Sequence, residues 1–458
     1  MKKIVTLFTT VVLCLFTVFG FAACGGDDDD NRTKVRFYFY QAGYGDGWAQ
    51  ALVDRYNAIQ DEVKIVPYGD YDMDSIARNE IIRGTDVADI YTLPSVDELA
   101  RKGLLEELSG LYGETVETIG GTTYTLDDLV EPYAKNAAKA GDGVYGVPWF
   151  GNFTGILYNV SMFENNGWQL PSTMTEFFAL CKTIRNAGID PLVFCGSQDQ
   201  GYIPTLLNHW LWQAEGDTNM AEFLKFENAE GFKAQEASRT KIYQTVARMV
   251  KDPDVYKSGS AAYGNQQAQR EFILGNAAMI VNGAWMVYEM EGILAGNPNF
   301  RMAMMPLPHI NDDKKGRDGT DTANVMEKNS NHFVIPAAAT HKEEAKKFLL
   351  WMSQQENLQT FADECNGMVR PYRILQPNTD KLSEFGKSVY NISTQSRPVV
   401  YESNADIWRS GKIGLFSSAS GEYVTNLSSQ NSLEAALARA NELAKQDYEN
   451  AVNSFRNF

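Results

Sequence analysis

Residues 34–92, KVRFYFYQAGYGDGWAQALVDRYNAIQDEVKIVPYGDYDMDSIARNEIIRGTDVADIYT, decide the fold. Lys34 to Tyr40 is β-branched and aromatic, the composition of a strand that packs on a pleated surface. Trp48 to Ile59 spaces its apolar residues along one helix face. Glu62 to Pro67 predicts a second strand, Asp74 to Arg83 a second helix, and Val87 to Thr92 a third strand. That order predicts a βαβαβ unit with a parallel sheet, and it places the chain among α/β proteins rather than sandwiches or bundles.

Downstream, Val96 to Leu108 and Leu126 to Ala140 read as helices, and Gly141 to Pro148 as a turn and short strand. Phe153 to Val160 restarts strand character, Thr173 to Ala187 is amphipathic, and Leu192 to Cys195 is strand-like, so a second α/β unit begins near residue 150. Helical patterns from Ala221 to Val250 and Gln266 to Leu274 lead to strands at Ala277 to Val281 and Met302 to Met305. Late helices cover Lys342 to Glu364 and Ser432 to Phe458. No internal repeat is present.

Upstream, Lys2 and Lys3 precede an apolar run from Ile4 to Phe21, and Ala22-Ala23 precede Cys24. This is the layout of a bacterial lipoprotein signal. Residues 1–23 would be removed, the Cys24 thiol would carry diacylglycerol, and residues 24–33, rich in Gly and Asp, would form a flexible tether. The alternative is an uncleaved anchor, but the run barely reaches the ~20 residues a bilayer span requires. The expected location is the extracytoplasmic face of the bacterial cell membrane.

The chain has 458 residues and is 44% hydrophobic, enough to bury cores in two or three domains. Its formal charge is −17, and loss of Lys2 and Lys3 leaves 39 basic against 58 acidic residues, or −19. Such a surface repels polyanions, so nucleic acid is not an expected partner. Beyond Cys14 and Cys24, the cysteines are Cys181, Cys195 and Cys365, with no CxxC pair. Cys181 and Cys195 are either a disulfide or two buried thiols.

Other chemistries find little support. Gly43-Tyr-Gly-Asp-Gly47 lacks the third glycine of a phosphate cradle, and Asp46 would repel a phosphate. His209, His309, His332 and His341 show no metal-ligand spacing. No Gly-x-Ser-x-Gly elbow is present, and Asn311-Asp312-Asp313 lacks the later ligands of a calcium loop. No cofactor or metal is expected.

Gly143-Val-Tyr-Gly-Val-Pro-Trp149, Gly155-Ile-Leu-Tyr-Asn159, Met162-Phe-Glu-Asn-Asn-Gly167 and Pro171-Ser-Thr-Met-Thr-Glu176 together resemble the central signature of bacterial extracellular solute-binding proteins of family 1, the carbohydrate-binding subunits of ABC importers related to maltose-binding protein. Ala88-Asp-Ile90 with Leu99 to Leu105, Phe272 to Trp285, Met305-Pro-Leu-Pro308, and Phe333-Val-Ile-Pro336 through Trp351 follow in the family's order. Asn329-Ser-Asn331 departs from the paired glycines common there.

The resemblance implies a two-lobe periplasmic-binding-protein-like fold of type II, each lobe a mainly parallel sheet flanked by helices. Three hinge crossings are expected, near Phe150-Gly151, near Met305-Pro306 and around Cys365 to Pro371. The first lobe would comprise 34–150 plus 306–366 and the second 151–305 plus 367–458. It implies capture of a sugar or oligosaccharide between the lobes by a monomer, without catalysis, and delivery to permease subunits. The alternative is a surface glycoside hydrolase or lyase using paired cleft carboxylates.

A sugar ring offers an apolar face to aromatic side chains and a hydroxyl rim to amides and carboxylates, one stacked ring contributing about 1–2 kcal/mol. Strand-end loops nominate Tyr40, Tyr44, Asp46, Tyr91 and Trp149, and at most one of Trp210 and Trp212 would face the cleft. The resemblance places Trp285 under a sugar ring, Asn152 at a polar ligand contact and Trp408 at a stacking position of the third segment. Arg370 would fork to a uronate or cap the hinge.

Overall fold

Strand β1 (Thr33–Tyr40) buries Val35, Phe37 and Phe39 on one side and half-buries Arg36, Tyr38 and Tyr40 on the other, as alternation requires. This is seen in a computed structural model that describes residues 30–117, 121–152, 154–197, 202–226, 228–327, 329–365, 372–373, 378–399, 406–409, 413–416 and 422–457. The signal segment 1–23, Cys24 and Arg370 lie outside the described residues.

Helix α1 (Gly47–Ile59) sets Trp48, Leu52, Val53 and Tyr56 into the core beside Phe37 and Phe39. Strand β2 (Val63–Asp70) pairs parallel with β1 in register from Thr33 opposite Val63 to Tyr40 opposite Asp70. Helix α2 (Met73–Arg83) covers the opposite face through Met73, Ala77 and Ile81. It stops at Gly84, whose φ of 69° is left-handed and lets its N–H reach the Glu80 carbonyl. Strand β3 (Ile90–Leu93) joins β1's other edge in parallel. The opening βαβαβ unit is therefore present.

Several of the longer helices expected from the sequence are broken. Between 96 and 108 only Asp97–Arg101 is helical. Between 126 and 140 the helix splits into Leu126–Leu129 and Pro132–Ala137, because Pro132 drives the preceding Glu131 to extended backbone (ψ 135°). The segment 342–364 likewise divides at the extended Gln354.

Strands β4 (Val147–Asn152) and β5 (Thr154–Asn159) carry the chain out of the first sheet and into the second. There follow α3 (Met174–Asn186), β6 (Leu192–Val193), α4 (Ile203–Glu215), α5 (Glu236–Lys251), α6 (Asn265–Ile273), β7 (Met279–Gly283) and β8 (Met302–Met305). The chain returns as β9 (Asn329–Val334), α7 (Lys342–Met352) and α8 (Gln355–Glu364), and ends with α9 (Glu384–Gln395) and α10 (Leu433–Arg456).

The first sheet has strand order β2-β1-β3-β9-β4 and the second β6-β7-β5-β8, giving a two-lobe α/β fold. One strand in each runs against the others: β9 is antiparallel to β3 and β4, and β5 to β7 and β8. Both reversed strands arrive from the other lobe. A strand entering from the side where the parallel strands end has to run back against them, so the reversal follows from the crossing.

Three boundaries differ from the sequence reading. Residues 306–325 stay with the second lobe: Ile310 and Val325 belong to its core, and the Met174 N–H donates to the His309 carbonyl at 2.8 Å. The second crossing therefore falls between Glu327 and Asn329 rather than at 306. Tyr372 and Arg373 remain with the first lobe, Tyr372 Oη donating to the Pro148 carbonyl (3.0 Å) and Arg373 N–H to that of Leu129 (2.8 Å). The third crossing lies beyond 373, because α9 packs on β8 with Ser388 Oγ accepting from Met304 N–H at 2.9 Å. The tether ends early as well, since Asp30 pairs with Arg32 at 2.8 Å and Lys64 at 3.1 Å.

The C-terminal helix is fastened by a fully buried pair, Arg239 to Asp447 at 2.8 Å, with Tyr243 Oη donating to the same carboxylate at 2.7 Å. Cys181, Cys195 and Cys365 are buried thiols that form no disulfide. Among the described residues no helix is long and apolar enough to cross a membrane.

Candidate functional site

The turn after β1 begins where Gln41 N–H meets the Asp70 carbonyl (3.0 Å) and closes through Gly45 N–H to the Gln41 carbonyl (3.0 Å). Gly43 has φ 72°, and a Cβ there would lie 2.5 Å from Cβ of Trp285 in the other lobe. A Cβ at Gly283 would fall 2.1 Å from the Trp285 ring. The half-buried indole is thus held between glycine backbones of both lobes, edge-on to Tyr202 at 5.2 Å. Nearby, Tyr288 Oη crosses the interface to donate to the Glu364 carbonyl at 2.8 Å, and burial pushes its phenol pKa up.

Beside this junction lies a cavity of about 960 Å³ walled by both lobes. The first lobe contributes Gln41, Gly43, Gly45, Asp46 and Tyr71; the second contributes Asn265, Gln266, Gln267 and Gln269 from α6, with Tyr288, Glu289 and Glu291. A second space of about 580 Å³ shares Gln266, Gln267 and Glu289 with it and extends past Arg270 and Ile293. The two form a groove along the α6 N-terminus. Its walls carry amides, carboxylates and tyrosine, which suit a hydroxyl-bearing ligand. Gln269 is 1% exposed; its Nε2 donates to Glu289 Oε2 at 2.6 Å. Among the described residues no group of three or more His, Cys, Asp or Glu could hold a metal ion.

Of the ten residues nominated from sequence, Asp46 lines the cavity, Trp285 stands next to it behind Gly43, and Tyr40 is half-buried at the end of β1. Four nominations are corrected by burial. Tyr44 stacks on Phe150 at 4.3 Å and anchors the turn from beneath. Tyr91 is fully buried, donating to Glu80 and accepting from Ala88 N–H (2.7 Å); burial raises its pKa. Trp149 is fully buried among Trp48, Phe333 and Phe361, with ring centroids 5.6–5.9 Å away. Trp210 is fully buried under the Pro308 carbonyl, to which its indole donates at 3.2 Å. Trp408 is also corrected: it lies parallel to Phe232 at 5.9 Å and donates to the Phe226 carbonyl, inside the second lobe's packing. Asn152 pairs with Asn329 in the first sheet, and its side chain lies outside the described residues, as does Arg370.

The nominations omitted Gln41, Tyr71 and the amides of α6. Tyr71, 71% exposed, follows a parallel strand and was within reach of the strand-end rule. The Asn265-Gln-Gln-Ala-Gln269 run was a visible cluster of amides at a helix start.

A family model described as bacterial extracellular solute-binding protein matches residues 42–359. The multiple sugar-binding protein of Streptococcus mutans is 25% identical over 244 residues, 52% of this chain and 54% of its own. The diacetylchitobiose binding protein NgcE of Streptomyces coelicolor is 24% identical over 235 residues, 50% of this chain and 47% of its own. The chain thus spans about half the length of the curated relatives it matches. Among solved structures, apo RafE of Streptococcus pneumoniae superposes with a TM-score of 0.69 at 17% identity, covering 93% of this chain and 98% of that one. RafE in complex with raffinose gives 0.67, also at 17% identity, covering 92% and 100%.

Proposed function

Because the chain belongs to the bacterial extracellular solute-binding protein family, we propose that it captures a sugar or oligosaccharide between its lobes and delivers it to the permease of an ABC importer, held at the membrane by a lipid on Cys24. The observation that carries this reading is the cavity with walls from both lobes, Asp46 and Tyr71 facing Gln266, Gln267 and Tyr288. A ligand that bridges such walls stabilises the closed arrangement by its differential affinity, and a permease can then read occupancy from closure. The names of the relatives, a multiple sugar-binding and a diacetylchitobiose-binding protein, agree in ligand chemistry.

A thermal-shift screen over mono- and oligosaccharides, with product analysis of each mixture, tests the capture step. A raised melting temperature with the saccharide recovered intact is expected. Released product would favour the hydrolase or lyase reading. Cys24→Ser tests the anchor: the variant should leave the membrane fraction, because stable anchoring requires acyl chains that no other segment supplies. Its retention in membranes would contradict lipidation at Cys24.

A further inference from the structure

We propose that Tyr288 and Gly43 form an interlobe latch that holds the cleft shut in the empty protein, so that a ligand reinforces a closed population already present instead of creating it. Every contact in the latch is between protein atoms, so it stands apart from the identity of the sugar.

Tyr288 supplies one half. Helix α8 ends at Glu364, and the carbonyls of a helix's last turn have no intrahelical donor. Tyr288 Oη reaches from the second lobe and donates to the Glu364 carbonyl at 2.8 Å. Met286 and Met290, two residues to either side of it in sequence, are buried in the same apolar core as Tyr44, Phe361 and Cys365 of the first lobe. Opening the cleft would exchange that bond for water and wet part of a core that crosses the lobe boundary. Both changes oppose opening.

Gly43 supplies the other half. A Cβ there would lie 2.5 Å from Cβ of Trp285, far inside the ~3.5–4.0 Å at which carbon atoms pack. A left-handed φ alone is reason enough for a glycine. Gly45, at φ 67°, needs no more than that, since a Cβ on it would meet nothing within 4 Å. Gly43, at φ 72°, carries a second requirement: the missing side chain lets the turn after β1 lie directly against the stem of Trp285. Substitution strains the two glycines alike, but only at Gly43 does it drive a methyl group into the other lobe.

Single-molecule energy transfer on the full-length protein, in a zwitterionic detergent and with no saccharide present, tests the latch. Fluorophores would be attached through azidophenylalanine introduced at Asn79 on α2 and Ala237 on α5, both exposed. The parent should populate chiefly the interlobe distance of the structure, the closed state. Tyr288→Phe should lower the closed-to-open ratio roughly two- to tenfold. Gly43→Ala should lower it at least about tenfold, while the equally strained Gly45→Ala leaves it within about twofold of the parent. A parent that is wholly open, or a ratio that neither Tyr288→Phe nor Gly43→Ala moves, overturns the proposal. Equal shifts in Gly43→Ala and Gly45→Ala would remove Gly43 from the latch. Should Gly43→Ala not fold, Tyr288→Phe decides alone, because it deletes one hydroxyl and keeps the ring. With no saccharide in the sample, a failure here leaves sugar capture untouched, and a failure to bind any sugar in the thermal-shift screen leaves the latch standing.

Discussion

The aromatic floor of the first lobe and the polar groove above it are built from opposite materials. Below, Trp48, Trp149, Phe150, Phe333 and Phe361 touch ring to ring, with Trp48, Trp149, Phe150, Phe333 and Phe361 all fully buried. Above, the cavity shows amides, carboxylates, glycine backbone and two tyrosines. Tyr44 belongs to the turn that forms the groove yet points its ring downward onto Phe150. Aromatic residues at strand ends therefore serve here mainly to hold a polar turn still. A rigid turn is what a two-sided clamp requires, since ordering it on binding would subtract from affinity.

Substituting the floor should produce the largest effect. Trp149→Ala removes a fully buried indole, and a loss of about 3–5 kcal/mol in folding stability is expected from transfer and cavity terms. Chemical denaturation would measure it. A near-normal midpoint accompanied by lost sugar binding would return Trp149 to the cleft and erase the division between floor and groove.

Acid should stress the cores in the same way. Burial holds His209 and His332 neutral and pushes each pKa down to about 4 from the ordinary 6.5. The unfolded chain takes up protons near pH 6.5 while the folded chain does not until about 4, so stability is present above 6.5 and is lost as pH falls through that window. The loss approaches the order of 3 kcal/mol per histidine at the acid end. Urea midpoints at pH 7 and pH 4.5 would show it, and His332→Asn should flatten the slope. An unaltered slope in that variant would mean that His332 is not held neutral.

The opening strands and helices were legible because their patterns are local: alternation in Lys34–Tyr40 and one apolar face in Trp48–Ile59 survive into the fold with shifts of a residue or so at their ends. The crossings were less legible. The family resemblance sets a crossing at Met305-Pro-Leu-Pro308, but this segment is kept in the second lobe by a backbone bond between Met174 and His309, distant in sequence. The site was the least legible part. Whether an aromatic at a strand end faces the cleft or the core depends on which ring lies opposite, and Phe150, Phe232 and Phe361 claim Tyr44, Trp408 and Trp149. Amides leave no periodic signature, so Gln266 and Gln269 entered only with the structure.

Trp285 stands at the boundary of the two regions and should behave like the groove. Trp285→Ala is expected to weaken sugar binding by about 2 kcal/mol with a smaller change in melting temperature, because the ring is only half-buried without ligand. Calorimetry and a melting curve on the same preparation separate the outcomes. Full affinity with a large stability loss would assign Trp285 to the core.

Hydrogen exchange with and without the tightest-binding saccharide tests the two-sided clamp most directly. Protection should increase together in residues 41–46 of the first lobe and 264–269 of the second, the segments that face each other across the cavity. Protection confined to one lobe, or centred on the Trp408 region while both of these segments stay unchanged, would contradict the account.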